Sequence, residues 1–350
     1  MTQITLKLIE QTIKKCNEHM KARGLSKKTR DSYASMIRRF LVWEQGNWKR
    51  IEALSSENRM EAFLSSLAND KKRPISFSTQ KSYFMAVLYF YREYMGKKIG
   101  RVDAVKAPAR QRIFNLLTKE QLIGLFDALP VPPSNYQLLA RLMFGTGMRL
   151  DEAISLRVKD IRFDEGLIAV QEGKGDKSRL VDMPRTLVDD LKAQLMYARS
   201  QFDMDRSLNR LGVYMPAGLS VKYPAYATSW EWYWAFPHWQ EGFDPDESVK
   251  RRFHVYDFDV QNAFRVTRRK LQLPEYASAH MLRHCYATFY LRNLLAKIKQ
   301  NGINIPDLYD FCRDALRKKL GNVSSQTTDT YIHLDMERDD ISDASPLDLL

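Results

Sequence analysis

The spacing of apolar residues is the feature that most limits how this chain can fold. Over most of its 350 residues the apolar positions recur at helical spacing, as in the stretch YASMIRRFL that begins at Tyr33. One segment departs from this period, because apolar and polar residues alternate on both sides of GKGD in GLIAVQEGKGDKSRLVDMP. Alternation around a glycine-rich turn predicts a β-hairpin with Lys174 at its tip. The chain is therefore predicted to be mainly α-helical with a small β-sheet.

A basic stretch interrupted by proline, VKAPARQRIF, separates two helical regions. It predicts a linker at residues 105–113, between an N-terminal helical domain at residues 1–104 and a second domain at residues 114–350. Ser26 is placed to cap a helix in the first domain. In the second, Thr118 and Gln121 have the spacing of a capping box.

The formal net charge of +13 favours a polyanionic partner, because neutralising phosphates releases condensed counterions. A generally basic enzyme is the alternative. The excess is uneven, since the last sixteen residues carry six acids and one base, Arg338. A tail at about residues 336–350 is thus better suited to docking on a basic protein surface than to contacting DNA.

Other features exclude several classes of protein. No apolar run approaches the roughly 20 residues that a membrane helix needs, and the N-terminus has no apolar signal core. The three cysteines lie far apart without C-x-x-C spacing, so neither a disulfide framework nor a zinc site is predicted. The expectation is a soluble cytoplasmic protein with no metal, no cofactor and no membrane partner.

Five separated side chains form a candidate catalytic set: Arg149, Lys174, His280, Arg283 and Tyr331. Two guanidinium groups suit the non-bridging oxygens of a phosphodiester, and they stabilise the charge of a pentavalent transition state. A tyrosine oxygen can attack phosphorus, a lysine can protonate the departing 5′-oxygen, and a histidine can manage the nucleophile's proton. Taken singly, each has an ordinary explanation, and an isolated tyrosine is more often a core residue. The set in this order favours metal-free transfer of a DNA phosphodiester.

The chain resembles the tyrosine recombinases, also called the phage integrase family. GTGMRLDE is similar to the first arginine box of that family, EGKGDKSR to its lysine hairpin, HMLRHCYAT to its H-x-L-R-H box, and LGN…TTDTYIHLD to its closing segment. The resemblance implies a core-binding, SAM-like N-terminal domain and an α+β catalytic domain. It implies catalytic positions at Arg149, Lys174, His280, Arg283 and Tyr331, with Glu152 and His284 in support.

Two departures from the family pattern stand out. Asn322 occupies a position where the family usually has histidine and sometimes tryptophan. Asparagine can donate an N–H to a phosphate oxygen but cannot shuttle a proton, so we expect activity at a reduced rate or with altered pH dependence. The segment from Tyr290 to Lys319 is longer than the usual connector. It is either a further helix that binds a partner or a tolerated surface insertion.

An aromatic insertion at about residues 214–254 contains four of the six tryptophans of the chain. Aromatic faces beside basic residues suit stacking on unpaired bases, and a buried aromatic mini-core is the alternative. Tryptophans at 230, 232 and 234 cannot share one helix face, so we expect a division between packing and base contact.

This insertion resembles the one that distinguishes integron integrases, through KYPAY, WEWYWAFP, DPDESVKRRFH and the terminal SPLDLL. The resemblance implies recognition of a folded single strand of a cassette recombination site, with extrahelical bases held by Trp230, Trp232, Phe253 and His254. Further DNA contacts are predicted for the basic residues Lys27, Lys28, Arg30, Lys250, Arg251 and Arg252.

The predicted function is site-specific recombination through a 3′-phosphotyrosine at Tyr331, carried out by a homo-tetramer on DNA and associated with the bacterial nucleoid. Three alternatives stay open: an integrase or transposase of another mobile element acting on duplex sites, a type IB topoisomerase, or a catalytically weakened DNA-binding relic marked by Asn322.

Overall fold

The computed structural model describes residues 5–108, 116–171, 178–215, 217–243, 249–301 and 308–321, together with Leu347. The chain divides into two compact units, Met1–Phe114 and Asn115–Leu350. Three predicted catalytic residues, Lys174, Asn322 and Tyr331, lie outside the described residues. So does the predicted docking tail, apart from Leu347.

The first unit is a bundle of helices. Its elements are α1 (Leu6–Ala22), α2 (Lys27–Ile51), α3 (Ser56–Ala68) and α4 (Phe77–Tyr89), followed by a π-helical turn (Phe90–Tyr94). The predicted cap of α2 is confirmed, because the Ser26 side chain accepts the backbone N–H of Thr29. Phe40, Phe63 and Tyr91 are buried, and the rings of Phe63 and Tyr91 lie edge-on to that of Phe40.

The last helical stretch of this unit begins earlier than the sequence pattern indicated. The repeat of the apolar pattern predicts a start at Ser78, but the Ser76 side chain accepts the backbone N–H of Thr79 at 3.2 Å, so α4 begins at Phe77. Ser76, Ser78 and Thr79 are all capable of capping. Only the observed hydrogen bond identifies which one does so.

The second unit holds the remaining elements, which are mostly helical. They are α5 (Lys119–Ala128), α6 (Tyr136–Thr146), α7 (Leu150–Ile154), β1 (Ile161–Arg162), β2 (Leu167–Val170), β3 (Arg179–Asp182), α8 (Val188–Ser207), α9 (Ala217–Lys222), β4 (Pro237–Phe243), β5 (Lys250–His254), α10 (Asp257–Lys270), α11 (Ala279–Gln300) and α12 (Leu308–Leu320). The capping box of Thr118 and Gln121 opens α5 as predicted.

A three-stranded antiparallel sheet has the order β1-β2-β3. The predicted hairpin is confirmed in its two strands, where Val170 pairs with Arg179 and Ile168 with Val181. Residues 172–177, which include the predicted turn lysine, are outside the described part of the chain. Strand β1 was not predicted, because two residues are too few to show an alternating pattern.

The long segment before the closing motif forms helical structure. Helix α11 continues to Gln300, and α12 packs back on it, burying Cys312, Leu316 and Leu320 against Tyr286 and Leu291. The connector thus adds a helix to the core of the second unit. Its predicted role in binding a partner stays a prediction.

Candidate active site

Arg149 and Glu152 are joined at the start of α7. Arg149 precedes the helix, and its backbone N–H donates to Glu152 Oε2 at 2.8 Å, while its Nη1 donates to Oε1 at 2.7 Å. The Arg149 side chain is 38% exposed and that of Glu152 only 8%. The carboxylate therefore lies behind the guanidinium, which stays accessible to a ligand.

Arg179 also binds the Glu152 carboxylate. It was not among the predicted site residues. Its Nη1 and Nη2 donate to the two oxygens of Glu152 at 3.1 and 2.6 Å. Arg179 is the first residue of β3, the second strand of the predicted lysine hairpin. A signal for it exists in the sequence, because strand alternation places Arg179 on the same face as Val181, which is buried.

Arg283 is buried on α11 and connects two segments of the site. Its Nη1 donates to the Gly147 carbonyl at 2.6 Å, and its Nη2 donates to the Leu320 carbonyl at 2.7 Å. Nη1 also lies 3.9 Å from Glu152 Oε2. Arg283 thereby brings together the chain that leads to Arg149 and the chain that leads toward the closing motif.

His280 and His284 lie one helical turn apart, and their rings meet edge to face with centroids 4.8 Å apart. His280 is partly exposed at the surface of the site, whereas His284 is buried. Local desolvation, followed by the charges of Arg283 and Arg149, lowers the pKa of His280. Burial, followed by His280 and Arg283, lowers the pKa of His284 to about 4. Both rings are therefore neutral at pH 7.

Glu152, unlike the two histidines, is charged at neutral pH. Burial alone would raise the pKa of its carboxyl, but hydrogen bonds and charges from Arg179 and Arg149 outweigh this and hold the pKa below its ordinary value. Glu152 is thus a carboxylate at neutral pH. With Arg149, Arg179 and Arg283 around it, the site carries three positive charges and one negative charge.

The segment before the closing motif contacts the sheet through one ion pair. Lys319 Nζ lies 2.6 Å from the carboxylate of Asp182, the last residue of β3. Within the described residues, no group of three or more His, Cys, Asp or Glu side chains could hold a metal ion. The same part of the chain contains no helix that is long and apolar enough to cross a membrane.

The described geometry suits an anionic phosphorus centre. An exposed guanidinium, a buried guanidinium and a neutral imidazole converge, with a surplus of positive charge. The structure brings together Arg149, Glu152, His280, Arg283 and His284.

Comparison with known proteins decides the family. Residues 115–300 match the Phage integrase family, and residues 13–101 match its N-terminal SAM-like domain. This chain belongs to the phage integrase family. It is a tyrosine recombinase with a SAM-like domain followed by a catalytic domain, as the sequence motifs indicated.

Relatives of this recombinase match between about half and nearly all of its length. An integrase/recombinase of Escherichia coli is 33% identical over 326 residues, which cover 93% of this chain and 89% of that protein. Tyrosine recombinase XerA of Thermococcus kodakarensis is 26% identical over 186 residues, covering 53% of this chain and 61% of that one.

Solved structures share its fold at low identity. XerH recombinase bound to its difH substrate has a TM-score of 0.56 at 20% identity, covering 93% of this chain and 82% of that one. A lambda integrase dimer bound to a core site has a TM-score of 0.52 at 15% identity, covering 95% and 98%.

The aromatic insertion of this recombinase contains a continuous ladder of three rings. The Tyr223 and Tyr226 rings stack with centroids 4.9 Å apart and planes at 19°, and the Tyr226 and Trp232 rings stack at 5.1 Å and 17°. Lys159 Nζ lies 3.4 Å from the Trp232 ring centroid, and Lys222 Nζ lies 5.2 Å from that of Tyr223. The two tyrosines are 38% and 37% exposed. We refer to these five residues as the aromatic ladder.

Other aromatic residues of the insertion form its core. Tyr233, Trp234 and Phe236 are buried. Trp230 is partly buried, with its ring edge-on to Phe202 at 5.5 Å. The prediction that some aromatic residues of the insertion pack in its core is therefore confirmed. The base contacts predicted for Trp230 and Trp232 stay predictions.

Strand β5 carries the remaining predicted base contacts. The Phe253 ring stacks on Tyr214 at 5.6 Å and 20°. His254 Nδ1 lies 2.7 Å from the Val255 carbonyl, so Nδ1 carries the proton that it donates. Burial lowers the pKa of His254. Its Nε2 is therefore a hydrogen-bond acceptor at neutral pH.

Arg252 differs in position from its neighbours Lys250 and Arg251. Its side chain is 2% exposed, and its Nε and Nη2 donate to Asp205 on α8 at 2.9 and 2.5 Å. Its Nη1 donates to the His238 carbonyl. This geometry gives Arg252 a structural part in fixing the insertion, and a DNA contact would require the buried pair to open.

Proposed function

We propose that this recombinase acts on folded single strands of DNA, and that it integrates or excises gene cassettes through a 3′-phosphotyrosine at Tyr331. The aromatic ladder is the observation that carries the proposal. In a duplex both faces of each base are covered by neighbours, whereas an extrahelical base has an open face that an aromatic ring can cover. A surface built from stacked rings therefore favours unpaired bases over a continuous helix.

The ladder is already assembled in the unbound chain. Tyr226 lies between Tyr223 and Trp232 and keeps both rings parallel to its own. Because these side chains are held by stacking, binding a base costs little further side-chain entropy. We propose that an extrahelical base stacks on the outer face of Tyr223, where Lys222 then pairs with the adjoining phosphate.

A second base position is proposed on β5. Phe253 offers a stacking face, and the neutral His254 offers Nε2 to an N–H group of a base. Lys250 and Arg251 lie on the same strand and are assigned to phosphates. Arg252 is left out of this DNA-contacting set because it is buried against Asp205.

The catalytic assignment follows the same proposal. Arg149 and Arg283 bind the non-bridging oxygens, His280 manages the proton of the nucleophile, and Lys174 protonates the leaving 5′-oxygen. Asn322 donates an N–H to the phosphate. His284 supports His280 through the edge-to-face contact of their rings.

DNA contacts of the first domain are proposed at the start of α2. Lys27 and Lys28 are exposed in its first turn, and Arg30 is partly exposed. Their charges fit phosphate oxygens near the N-terminal end of a helix, where the backbone N–H groups also favour an anion. The protein would thus work on DNA in the cytoplasm, at the nucleoid.

Recombination between two sites needs four protomers, and we propose that the acidic tail links them. In the single chain Leu347 is buried beside Gly145 and Pro184. In a tetramer the same pocket would receive Leu347 of a neighbour. Deleting residues 341–350 should then abolish synapsis and spare binding to a single site, and normal recombination by the truncated protein would contradict this.

The central experiment compares binding to each folded single strand, and to the duplex, of a cassette recombination site. Fluorescence anisotropy should give a clearly lower Kd for one folded strand. Tyr223→Ala should weaken that binding about 5- to 150-fold, the equivalent of one lost stack of about 1–3 kcal/mol. Binding to the duplex should change little.

Trp239→Ala is the matched control, since Trp239 belongs to the same insertion, is 64% exposed and lies outside the ladder. Equal affinity for duplex and folded strands would contradict the proposal and favour an integrase of another mobile element. Relaxation of supercoiled plasmid by the monomer would favour a type IB topoisomerase. Failure to form any covalent adduct would favour a DNA-binding relic.

A further inference from the structure

Glu152 lies beside Arg149, the arginine proposed to bind the scissile phosphate. A buried carboxylate beside a phosphate-binding arginine tends to cancel the charge of that arginine. Glu152 accepts a hydrogen bond from Arg149 Nη1 at 2.7 Å, so these two groups already form an ion pair. A phosphodiester that approaches Arg149 must compete with that carboxylate.

Arg179 changes this competition through its geometry. Its Nη1 and Nη2 donate to the two oxygens of Glu152, which is the bidentate form of the arginine–carboxylate pair. The side chain of Arg179 is 11% exposed, against 38% for Arg149. The inner arginine thus holds the carboxylate with two bonds, and the outer arginine faces the ligand.

We propose that Arg179 is a positioning residue for DNA cleavage, which takes up the charge of Glu152 and thereby leaves Arg149 available to the scissile phosphate. The inference rests on the role proposed above for Arg149. Arg179 does not touch the phosphate. It acts through Glu152, which in turn orients Arg149 by accepting its backbone N–H at 2.8 Å.

The balance of charge supports this role. Among the described residues of the site, Arg149, Arg179 and Arg283 against Glu152 give a net charge of +2, because His280 is neutral. A phosphodiester carries one negative charge, and a pentavalent phosphorane carries a second one in the transition state. Without Arg179 the net charge of the site falls by one, so the second negative charge of the transition state is stabilised less well. The loss should therefore appear in the rate of cleavage more than in the affinity for DNA.

The position of Arg179 in the sheet adds a second consequence. Arg179 is the first residue of β3 and pairs with Val170, the last residue of β2, across the base of the hairpin that carries Lys174. The ion pair with Glu152 therefore attaches this hairpin to the start of α7. One residue links the strand leading from Lys174 to the helix that follows Arg149.

The test measures the single-turnover rate of covalent adduct formation and the Kd in parallel. The probe is the folded strand or the duplex of a cassette recombination site, whichever is cleaved, with a bridging 5′-phosphorothiolate at the scissile position. Arg179→Gln should lower the rate by up to roughly 100-fold, the loss expected when a group that contacts the transition state is retained but misplaced. Its Kd should change less than about threefold.

A double-mutant cycle separates charge compensation from a merely structural role. If Arg179 acts by neutralising Glu152, then Glu152→Gln in the Arg179→Gln background should restore the rate by about threefold or more. Arg179→Lys keeps the charge without the fork and should fall between the wild type and Arg179→Gln. This variant also keeps the test open if the glutamine variant does not fold.

Two results would overturn the inference. One is a wild-type rate for Arg179→Gln, and the other is a double variant no faster than Arg179→Gln alone. The proposed role of Arg149 is checked separately with Arg149→Ala. Normal cleavage by Arg149→Ala removes the basis of the proposal, whereas lost cleavage combined with a normal Arg179→Gln variant refutes only the part assigned to Arg179.

Discussion

The attachment of the aromatic insertion to α8 makes a sharp prediction about stability. Asp205 is buried at the C-terminal part of α8, and its carboxylate accepts hydrogen bonds from the guanidinium groups of Arg252 and Arg210 and from the Tyr233 hydroxyl at 2.7 Å. Burial alone would raise the pKa of this carboxyl, but these partners lower it overall. We expect Asp205→Ala to detach β5 and the ring of Tyr233 from the helix.

The size of the effect follows from burial. The side chains of Asp205 and Arg252 are each 2% exposed, so removing the carboxylate leaves a guanidinium in the interior without its bidentate partner. Breaking such a buried pair by removing one member typically costs about 3–5 kcal/mol. We therefore expect Asp205→Ala to lower the free energy of unfolding by at least about 3 kcal/mol.

Urea unfolding followed by tryptophan fluorescence suits this test, because four of the six tryptophans lie in the insertion. The matched control is Asp203→Ala on the same helix. Asp203 forms an ion pair with Arg199, and the two side chains are 56% and 53% exposed, respectively. An exposed pair of this kind is worth about 0.3–0.5 kcal/mol. The control should therefore unfold almost as the wild type does.

A loss below about 1 kcal/mol for Asp205→Ala, or equal losses in the two variants, would refute the reasoning. It would mean that the Arg252 charge finds water once its partner is removed. In that case Arg252 would be available to DNA, as the sequence first indicated.

Three further predictions concern the catalytic domain. Gly147→Ala should lower the free energy of unfolding and the cleavage rate more than Gly166→Ala does, as measured by urea unfolding and cleavage assays. Both glycines have positive φ, but only at position 147 would an added Cβ clash with the Tyr286 ring. Equal losses in the two variants would contradict this prediction. Burial and neighbouring cations lower the pKa of His284 to about 4 from 6.5, so the stability it contributes is present above about pH 6.5 and lost as pH falls toward 4. The change is about 3 kcal/mol, and His284→Gln should flatten the pH profile of urea unfolding in that window, which an unchanged slope would refute. Asn322→His should raise the single-turnover cleavage rate if proton transfer is limiting, whereas an unchanged rate would show that the amide donor suffices.

Most of the fold could be predicted from local patterns in the sequence. The cap at Ser26 and the box of Thr118 and Gln121 depend on residues three positions apart, so the sequence displays them directly. Alternation around the glycine-rich turn likewise located β2 and β3. Strand β1 has only two residues and is defined by its pairing with β2, which no periodicity in the sequence reveals. Likewise, only the hydrogen bond from the Thr79 N–H identifies Ser76 as the cap of α4.

The candidate site shows the same division. Arg149 and Glu152 are three residues apart, and their contact follows from helix geometry. Arg252 looked like a DNA contact because it stands in a basic run, yet its partner Asp205 lies 47 residues earlier in the chain. Sequence spacing does not reveal such a distant partner. Arg179 could have been found from strand alternation, which puts it beside buried Val181.

The aromatic ladder also depends on tertiary structure. Tyr226 lies in a short 3₁₀ segment (Pro224–Thr228), which Tyr223 directly precedes, and Trp232 lies in the turn that follows. Lys159 comes from a separate part of the domain. The composition of the insertion predicted stacking in general terms. The identity and order of the stacked rings required the structure.

The most direct test of the account is the chemical identity of the covalent intermediate. The recombinase is incubated with the phosphorothiolate form of its recombination site, and the adduct is digested and mapped by mass spectrometry. The account predicts a 3′-phosphotyrosine on Tyr331, with no adduct from Tyr331→Phe. An adduct on another residue, or one undiminished in Tyr331→Phe, would contradict it.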